Sequence, residues 1–241
     1  MNELDVPRCS WGSGHVPLTD CPYQHPVPGH ESDPNAISIY SLLRERNRCN
    51  HNDYQNIGVN GARVTSSMGL VDALARDPQN DLPLLVYFAL IGNDVCNGHP
   101  GFGSMTTPEE FYTEAMNSLT KLDTVVPANS HVVAVALFDG ELLYATMHDK
   151  QHPIGTSYNG LYDFMNCLEE NPCWGWLNSN ATDRYETTKI SNQLSAVYQT
   201  IEDNQNFTNF KFIYYSPSWM DIFNGNYFFL ELFEVLFLRL C

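Results

Sequence analysis

The chain has 241 residues, of which 43% are hydrophobic and 17% are charged, so there is enough apolar material for a folded core and disorder throughout is excluded. Its 12 Lys and Arg stand against 28 Asp and Glu, which gives a net charge of −16. That balance argues against a nucleic-acid partner and against charge-driven docking on an anionic membrane, because both need clustered cations.

The first part of the chain predicts an irregular arm, a short helix and a short strand. Residues 1–35 are rich in Pro, Gly, His and Cys, which is typical of an irregular N-terminal arm. A helix is predicted from residue 37 to the charged run at 44–46. Residues 54–61 predict a strand that runs into a glycine-bearing turn.

Long apolar runs predict the other strands. Residues 82–91 (LPLLVYFALI) and 131–138 (HVVAVALF) are typical of strands buried on both faces, and a third strand is predicted at 210–215. Thr107 is a suitable N-cap and Pro108 suits the first position of a helix. Helices are predicted at 64–76, 107–122, 158–168 and 187–202.

Strands that alternate with helices predict an α/β domain with a mainly parallel sheet, which we place at residues 36–227. Ligands of such sheets bind beyond the carboxyl ends of the strands. Gly61, Asn93, Asp139 and Ser216 fall at such ends.

The end of the chain, residues 228–241, is an atypical apolar tail. It is shorter than the roughly 20 apolar residues of a membrane span and contains Glu231, Glu234 and Arg239, so no transmembrane span is expected. Two interpretations of the tail remain open. It could form a helix in the core or at an interface, or it could be a segment that is foreign to the parent fold.

Cysteines and glycosylation sequons favour an oxidising, secretory origin. The chain has seven cysteines without a Cys-x-x-Cys pair, and a disulfide could close the short turn between Cys167 and Cys173. Asn180 and Asn206 each begin an N-glycosylation tripeptide. Because the N-terminus lacks the features of a signal peptide, we expect a fragment of a secreted protein; the alternative is a cytosolic protein with free thiols.

Two strand ends carry hydrogen-bond donors that suit an oxyanion. A glycine such as Gly61 lets a backbone N–H approach a substrate closely, and the Asn93 side chain supplies a second N–H. Gly92-Asn93-Asp94 alone indicates only a common turn. Together, after successive strands, the two motifs indicate a site.

These motifs resemble blocks II and III of the SGNH (GDSL-type) hydrolases. Five segments are similar to the large subunit of the acyloxyacyl hydrolase family. The members of this family are secreted enzymes that remove secondary acyl chains from the lipid A of lipopolysaccharide. They are RNRCNHNDYQNIGVNGARV (46–64), IGNDVC (91–96), MTTPEEFY (105–112), HPIG (152–155) and NCLEENPCWGW (166–176). The resemblance, which runs from about residue 2 to 225, implies an incomplete three-layer α/β/α fold of the SGNH or flavodoxin-like type.

The resemblance also implies roles for single residues. It assigns the oxyanion hole to the Gly61 backbone N–H and the Asn93 side chain, and it makes Asn60, Asp94 and His152 candidates for substrate binding. The family's Gly-Asp-Ser nucleophile block would lie upstream of residue 1, and its Asp-x-x-His block after about residue 225. An Asp-x-x-His occurs at 149–152, but it lies mid-chain, so we interpret His152 as a loop residue near the site.

We therefore expect a lipid-ester hydrolase that is catalytically incomplete as this chain. Loss of the family's first strand would expose strand edges and predicts marginal stability or aggregation. Two alternatives stay open, which are a non-catalytic lipid-binding or decoy product and a structural α/β module.

The resemblance implies further partners. These are lipopolysaccharide or another acylated lipid as substrate, and a saposin-like small subunit. The parent protein would be secreted or lysosomal, and no cofactor or metal is expected here because the family's calcium sites lie upstream. Four cysteines match positions of the family, which are Cys49, Cys96, Cys167 and Cys173. They allow three pairings, and one of them could instead bond to a partner subunit.

Overall fold

The computed structural model describes residues 38–51, 53–74, 76–137 and 139–216, together with a strand at 235–239. The helices are α1 (Ile39–Arg46), α2 (Ser67–Asp72), α3 (Gly92–Val95), α4 (Pro108–Val125), α5 (Gly140–Met147), α6 (Tyr158–Cys167) and α7 (Ala181–Asn204). The strands are β1 (Tyr54–Asn56), β2 (Leu84–Phe88), β3 (Ser130–Val135), β4 (Phe210–Tyr215) and β5 (Val235–Arg239). The arm predicted at 1–35 lies outside the described residues.

The strands form one sheet in the order β1-β5-β2-β3-β4. Strands β2, β3 and β4 are parallel, with Val86 opposite Val132 and Val132 opposite Phe212. The predicted α/β fold with a parallel sheet is confirmed by these strands.

Residues 235–239 of the tail form a strand, so the first of the two interpretations, a core or interface helix, is wrong for this part of it. Strand β5 runs antiparallel to both of its neighbours and pairs with β1 on one side and β2 on the other. Unpaired backbone N–H and C=O groups in a sheet are costly, and β5 satisfies those of both strands. The edges that we expected to be exposed are therefore paired within this chain.

One face of the sheet carries the main core. In β2, Leu84, Val86 and Phe88 are buried, whereas Leu85 and Tyr87 are only partly buried, so the strand is completely covered on one face alone. Side chains of α4 and α7 pack on the covered face: Phe111, Ala115, Leu119, Leu122, Leu194, Val197, Tyr198 and Ile201.

The opposite face is covered in part by α1. Tyr40, which is 1% exposed, packs there with Leu85 and Tyr87. Helices therefore lie on both faces of the sheet, as the three-layer prediction requires. Within the described part of the chain, no helix has both the length and the apolarity that crossing a bilayer demands.

Helix starts follow from local sequence. The Thr107 hydroxyl accepts a hydrogen bond from the Glu110 N–H (3.2 Å), with Pro108 at the first helical position, as predicted. Helix α7 begins earlier than predicted because Asn180 caps it and accepts from the Thr182 N–H (3.0 Å). Helix α5, which was not predicted, begins after Asp139 as its cap.

Candidate functional site

Gly61 lies in the turn that follows β1, at the carboxyl edge of the sheet. Its φ of +81° is a left-handed conformation that favours glycine, and the Ala62 N–H closes the turn on the Val59 oxygen (3.0 Å). Gly61 is exposed, and apart from the glycine itself and its two chain neighbours no heavy atom lies within 4 Å of the position that a Cβ would take. No hydrogen bond from its N–H is found among the described residues.

Asn93 lies in α3, the single helical turn that follows β2. Its side-chain nitrogen Nδ2 donates to the Ala62 oxygen at 2.9 Å, which brings the amide against the turn that contains Gly61. A primary amide carries two N–H donors, and the contact with Ala62 uses one of them. The two donors that were predicted at separate strand ends are thus neighbours in space.

Asp94, the next residue, is completely buried. Both of its carboxylate oxygens lie 3.2 Å from the Val64 N–H, and Oδ1 accepts from the Thr106 hydroxyl at 2.7 Å. Burial raises the pKa of Asp94 to about 6, against the hydrogen bonds from Thr106 and Val64 and the nearby Arg63, which lower it. The same burial raises the pKa of Tyr198 well above its usual value, with the Asp94 charge as the second cause.

The remaining sequence candidates are Asn60 and His152. Asn60 is exposed in the same turn as Gly61. His152 makes local contacts: its Nδ1 accepts from the Ile154 N–H (3.2 Å), and its ring lies edge-on to Tyr158 at 5.0 Å. Asp149 lies 3.1 Å from Nε2 of His148, so the contact that the structure gives this carboxylate is with the neighbouring histidine.

A disulfide between Cys96 and Cys173 ties the end of α3 to the loop after α6. The predicted closure of the turn between Cys167 and Cys173 is therefore wrong, because Cys173 is bonded elsewhere. Cys167 is a free, exposed thiol, and Cys49 is disulfide-bonded. The sequence left three pairings of these cysteines open, and the fold brings together two that are 77 residues apart.

Thr106 was not among the residues that the sequence analysis singled out. Its hydroxyl and backbone N–H both bind Asp94, at 2.7 Å and 2.9 Å. The residue stands in the segment 105–112 that carries the resemblance, but only the fold shows what it contacts.

A cavity of about 300 Å³ lies beyond the carboxyl ends of β3 and β4. It is where the sequence placed Asp139 and Ser216, and both line it together with Ala136, Leu137, Asn192, Ser195, Ala196, Gln199 and Tyr214. In the described residues, no three His, Cys, Asp or Glu side chains converge in a way that could hold a metal ion.

No family model matches the chain. It is similar to the acyloxyacyl hydrolase of Oryctolagus cuniculus, with 37% identity over 228 residues that cover 92% of this chain and 38% of that protein. The acyloxyacyl hydrolase of Homo sapiens is 38% identical over 227 residues, which cover 92% of this chain and 37% of the human protein. That of Mus musculus is 39% identical over 191 residues, 77% of this chain and 33% of the mouse protein. The chain thus spans less than two-fifths of the length of these relatives, and over the matched region it belongs to the acyloxyacyl hydrolase family.

Proposed function

We propose that this chain supplies the oxyanion-binding part of a lipid-ester hydrolase that cleaves acyloxyacyl esters, such as the secondary acyl chains of lipopolysaccharide. The supporting observation is the contact between the Asn93 amide and the Ala62 oxygen at 2.9 Å. This contact supports the proposal because it joins the Asn93 amide to the residue that follows Gly61, at the edge of the sheet where ligands of α/β proteins bind.

Ester cleavage passes through a tetrahedral species in which the former carbonyl oxygen carries negative charge. In the proposed reaction, the Gly61 N–H and Asn93 Nδ2 both donate to that oxygen. They lower the barrier because they are held in place before the charge forms. Removal of one such donor typically costs about 2.7–4 kcal/mol.

The attacking group in the proposed reaction is a serine of a Gly-Asp-Ser segment, which the 241 residues do not contain. We therefore expect negligible ester hydrolysis from this chain alone, since loss of the catalytic triad leaves only residual catalysis. A fluorophosphonate that labels reactive serines is expected to leave the chain unlabelled. Stoichiometric labelling would contradict this expectation.

Recognition of the substrate is proposed to rest on its acyl chains, because a net charge of −16 repels lipid phosphates. A saposin-like subunit is the partner that the resemblance implies, and it would add apolar surface. The Cys96–Cys173 disulfide and the exposed sequon residues Asn180 and Asn206 support an oxidising, secretory or vesicular location.

The experiment uses a chimaera in which residues 38–216 replace the matched segment of the Oryctolagus cuniculus acyloxyacyl hydrolase. Turnover of an acyloxyacyl ester is measured for the chimaera and for its Asn93→Ala variant. The proposal predicts that kcat falls by about 10²–10³ with Asn93→Ala. Asn117→Ala, at an exposed position of α4, is the matched control and should leave kcat unchanged. An Asn93→Ala variant as active as the control would exclude the oxyanion role.

Non-catalytic lipid binding is a second candidate, which is favoured by exposed apolar side chains in and beside α6. Ile154, Phe164 and Leu168 are 68%, 62% and 54% exposed. Under this alternative, the chain co-sediments with vesicles that contain acylated lipid, and the Phe164→Ser variant does so less. A chimaera without hydrolytic activity would then favour binding over catalysis.

A further inference from the structure

We infer that Asp94 is a positioning residue, whose buried carboxylate holds the backbone that follows Gly61 and so fixes the place of Gly61 relative to Asn93. The inference rests on the proposed function, because it gives Asp94 a part in arranging the two proposed oxyanion donors. It assigns Asp94 no contact with substrate.

The first support is that the carboxylate bridges two separate segments. Val64 follows the Gly61 turn, and its N–H lies 3.2 Å from both carboxylate oxygens. Thr106 precedes α4, and its hydroxyl donates to Oδ1 at 2.7 Å while its N–H donates to the Asp94 backbone oxygen at 2.9 Å. The side chain is 0% exposed, so these bonds are shielded from competing water.

The second support is that three successive residues after Gly61 are each anchored. The Asn93 amide binds the Ala62 oxygen at 2.9 Å, and the Arg63 guanidinium donates to the Ser104 oxygen at 2.8 Å. The Val64 N–H is held by Asp94. Gly61 stands directly before this anchored run, so a change at Asp94 displaces the turn from its far end.

The third support is the cost of the arrangement. Burial of a carboxylate is costly unless hydrogen bonds or an opposite charge compensate it, and an apolar side chain of similar size would avoid that cost. The charged or titratable groups around the carboxylate are Arg63, which attracts the charge, Glu110, which repels it, and Tyr198 in α7. Because burial raises the pKa of Asp94 to about 6, its charge changes within an accessible pH range and can be followed.

The test is a pH titration of the full chain by ¹H–¹⁵N correlation spectroscopy between about pH 4 and 8. We expect the Gly61 N–H and the Asn93 side-chain NH₂ signals to shift with a common midpoint near 6, the pKa of Asp94. In Asp94→Asn, which keeps the shape of the side chain, the same signals should not move with pH. Asp72→Asn, at an exposed position of α2, should leave the midpoint unchanged.

Thr106→Val is a second variant, which removes the hydroxyl but keeps the carboxylate. Because the Thr106 hydrogen bond lowers the pKa of Asp94, the midpoint at Gly61 should rise in this variant. A Gly61 signal that is flat across the range, or that still titrates in Asp94→Asn, overturns the inference. That outcome differs from failure of the proposed function, which appears as unchanged kcat in the Asn93→Ala chimaera while the titration persists.

Discussion

Replacement of Asp94 by asparagine should remove a pH dependence of stability that the buried carboxylate creates. Burial raises the pKa of Asp94 from 3.8 to about 6, although hydrogen bonds from Thr106 and Val64 oppose the shift. A difference of about two pKa units, at about 1.4 kcal/mol each, corresponds to about 3 kcal/mol between the two protonation states.

The sign follows from proton linkage. Between the two pKa values, the folded chain holds a proton that the unfolded chain has released. The contribution of Asp94 to stability is therefore fully present below the unfolded pKa of about 3.8 and is lost as the pH rises through about 6. Asparagine has no proton to release. The free energy of unfolding of Asp94→Asn minus that of the original chain should thus rise by about 3 kcal/mol from below pH 4 to pH 7.

The assay is urea unfolding followed by circular dichroism at several pH values, with the difference taken between the variant and the original chain at each pH. Asp77→Asn is the control, because the hydrogen bond from the Asn80 side chain, above all, lowers the pKa of this exposed carboxylate. For Asp77 the sign is reversed, so its difference should fall as the pH rises. A difference for Asp94→Asn that does not depend on pH would refute the reasoning.

Three further changes test other parts of the structure. Gly61→Ala adds a Cβ in a turn with a φ of +81° and should lower the free energy of unfolding by about 1–2 kcal/mol. Gly69→Ala, whose new Cβ also has open space but which lies in helix α2, should raise the free energy of unfolding by about 0.5–1 kcal/mol. Equal effects of the two variants in urea unfolding would contradict the turn geometry. Cys96→Ser opens a loop of 77 residues and should lower the free energy of unfolding by about 4 kcal/mol. Cys167→Ser should change the free energy of unfolding by less than about 0.5 kcal/mol, because Cys167 is a free, exposed thiol. Similar unfolding midpoints for the two variants would contradict the disulfide. Ending the chain at residue 234 removes β5, which leaves β1 without its partner and one edge of β2 open, so light scattering should show aggregation. A monodisperse monomer with a cooperative melt would contradict the pairing.

Local sequence predicted the elements whose stability is itself local. The apolar run at 82–91 contains β2, the run at 131–138 contains all of β3 except its first residue, and the Thr107 cap begins α4 where expected. The ends of two parallel strands lie on one edge of a sheet, which is why Gly61 and Asn93 could be expected near each other before any distance was known.

Long-range pairing could not be predicted in the same way. The apolar tail has no periodicity that distinguishes a strand from a buried helix, and its place between β1 and β2 depends on partners about 150 or more residues away in the chain. The Cys96–Cys173 bond joins residues that are 77 apart, for which spacing carries no signal. The resemblance made Asp94 a candidate for substrate binding, whereas its burial and its bond to Thr106 depend on how α4 packs.

The central claim is that Gly61 and Asn93 bind the negative oxygen of a transition state, and a trifluoromethyl ketone ester analogue measures that binding directly. A serine nucleophile adds to such a ketone to form a tetrahedral anion, so its inhibition constant reports stabilisation of that charge. In the chimaera, Asn93→Ala should raise the inhibition constant by the same factor by which kcat/KM falls, about 10²–10³, while KM changes by less than about two-fold. An inhibition constant that stays the same while kcat/KM falls would show that Asn93 acts elsewhere than on the oxyanion.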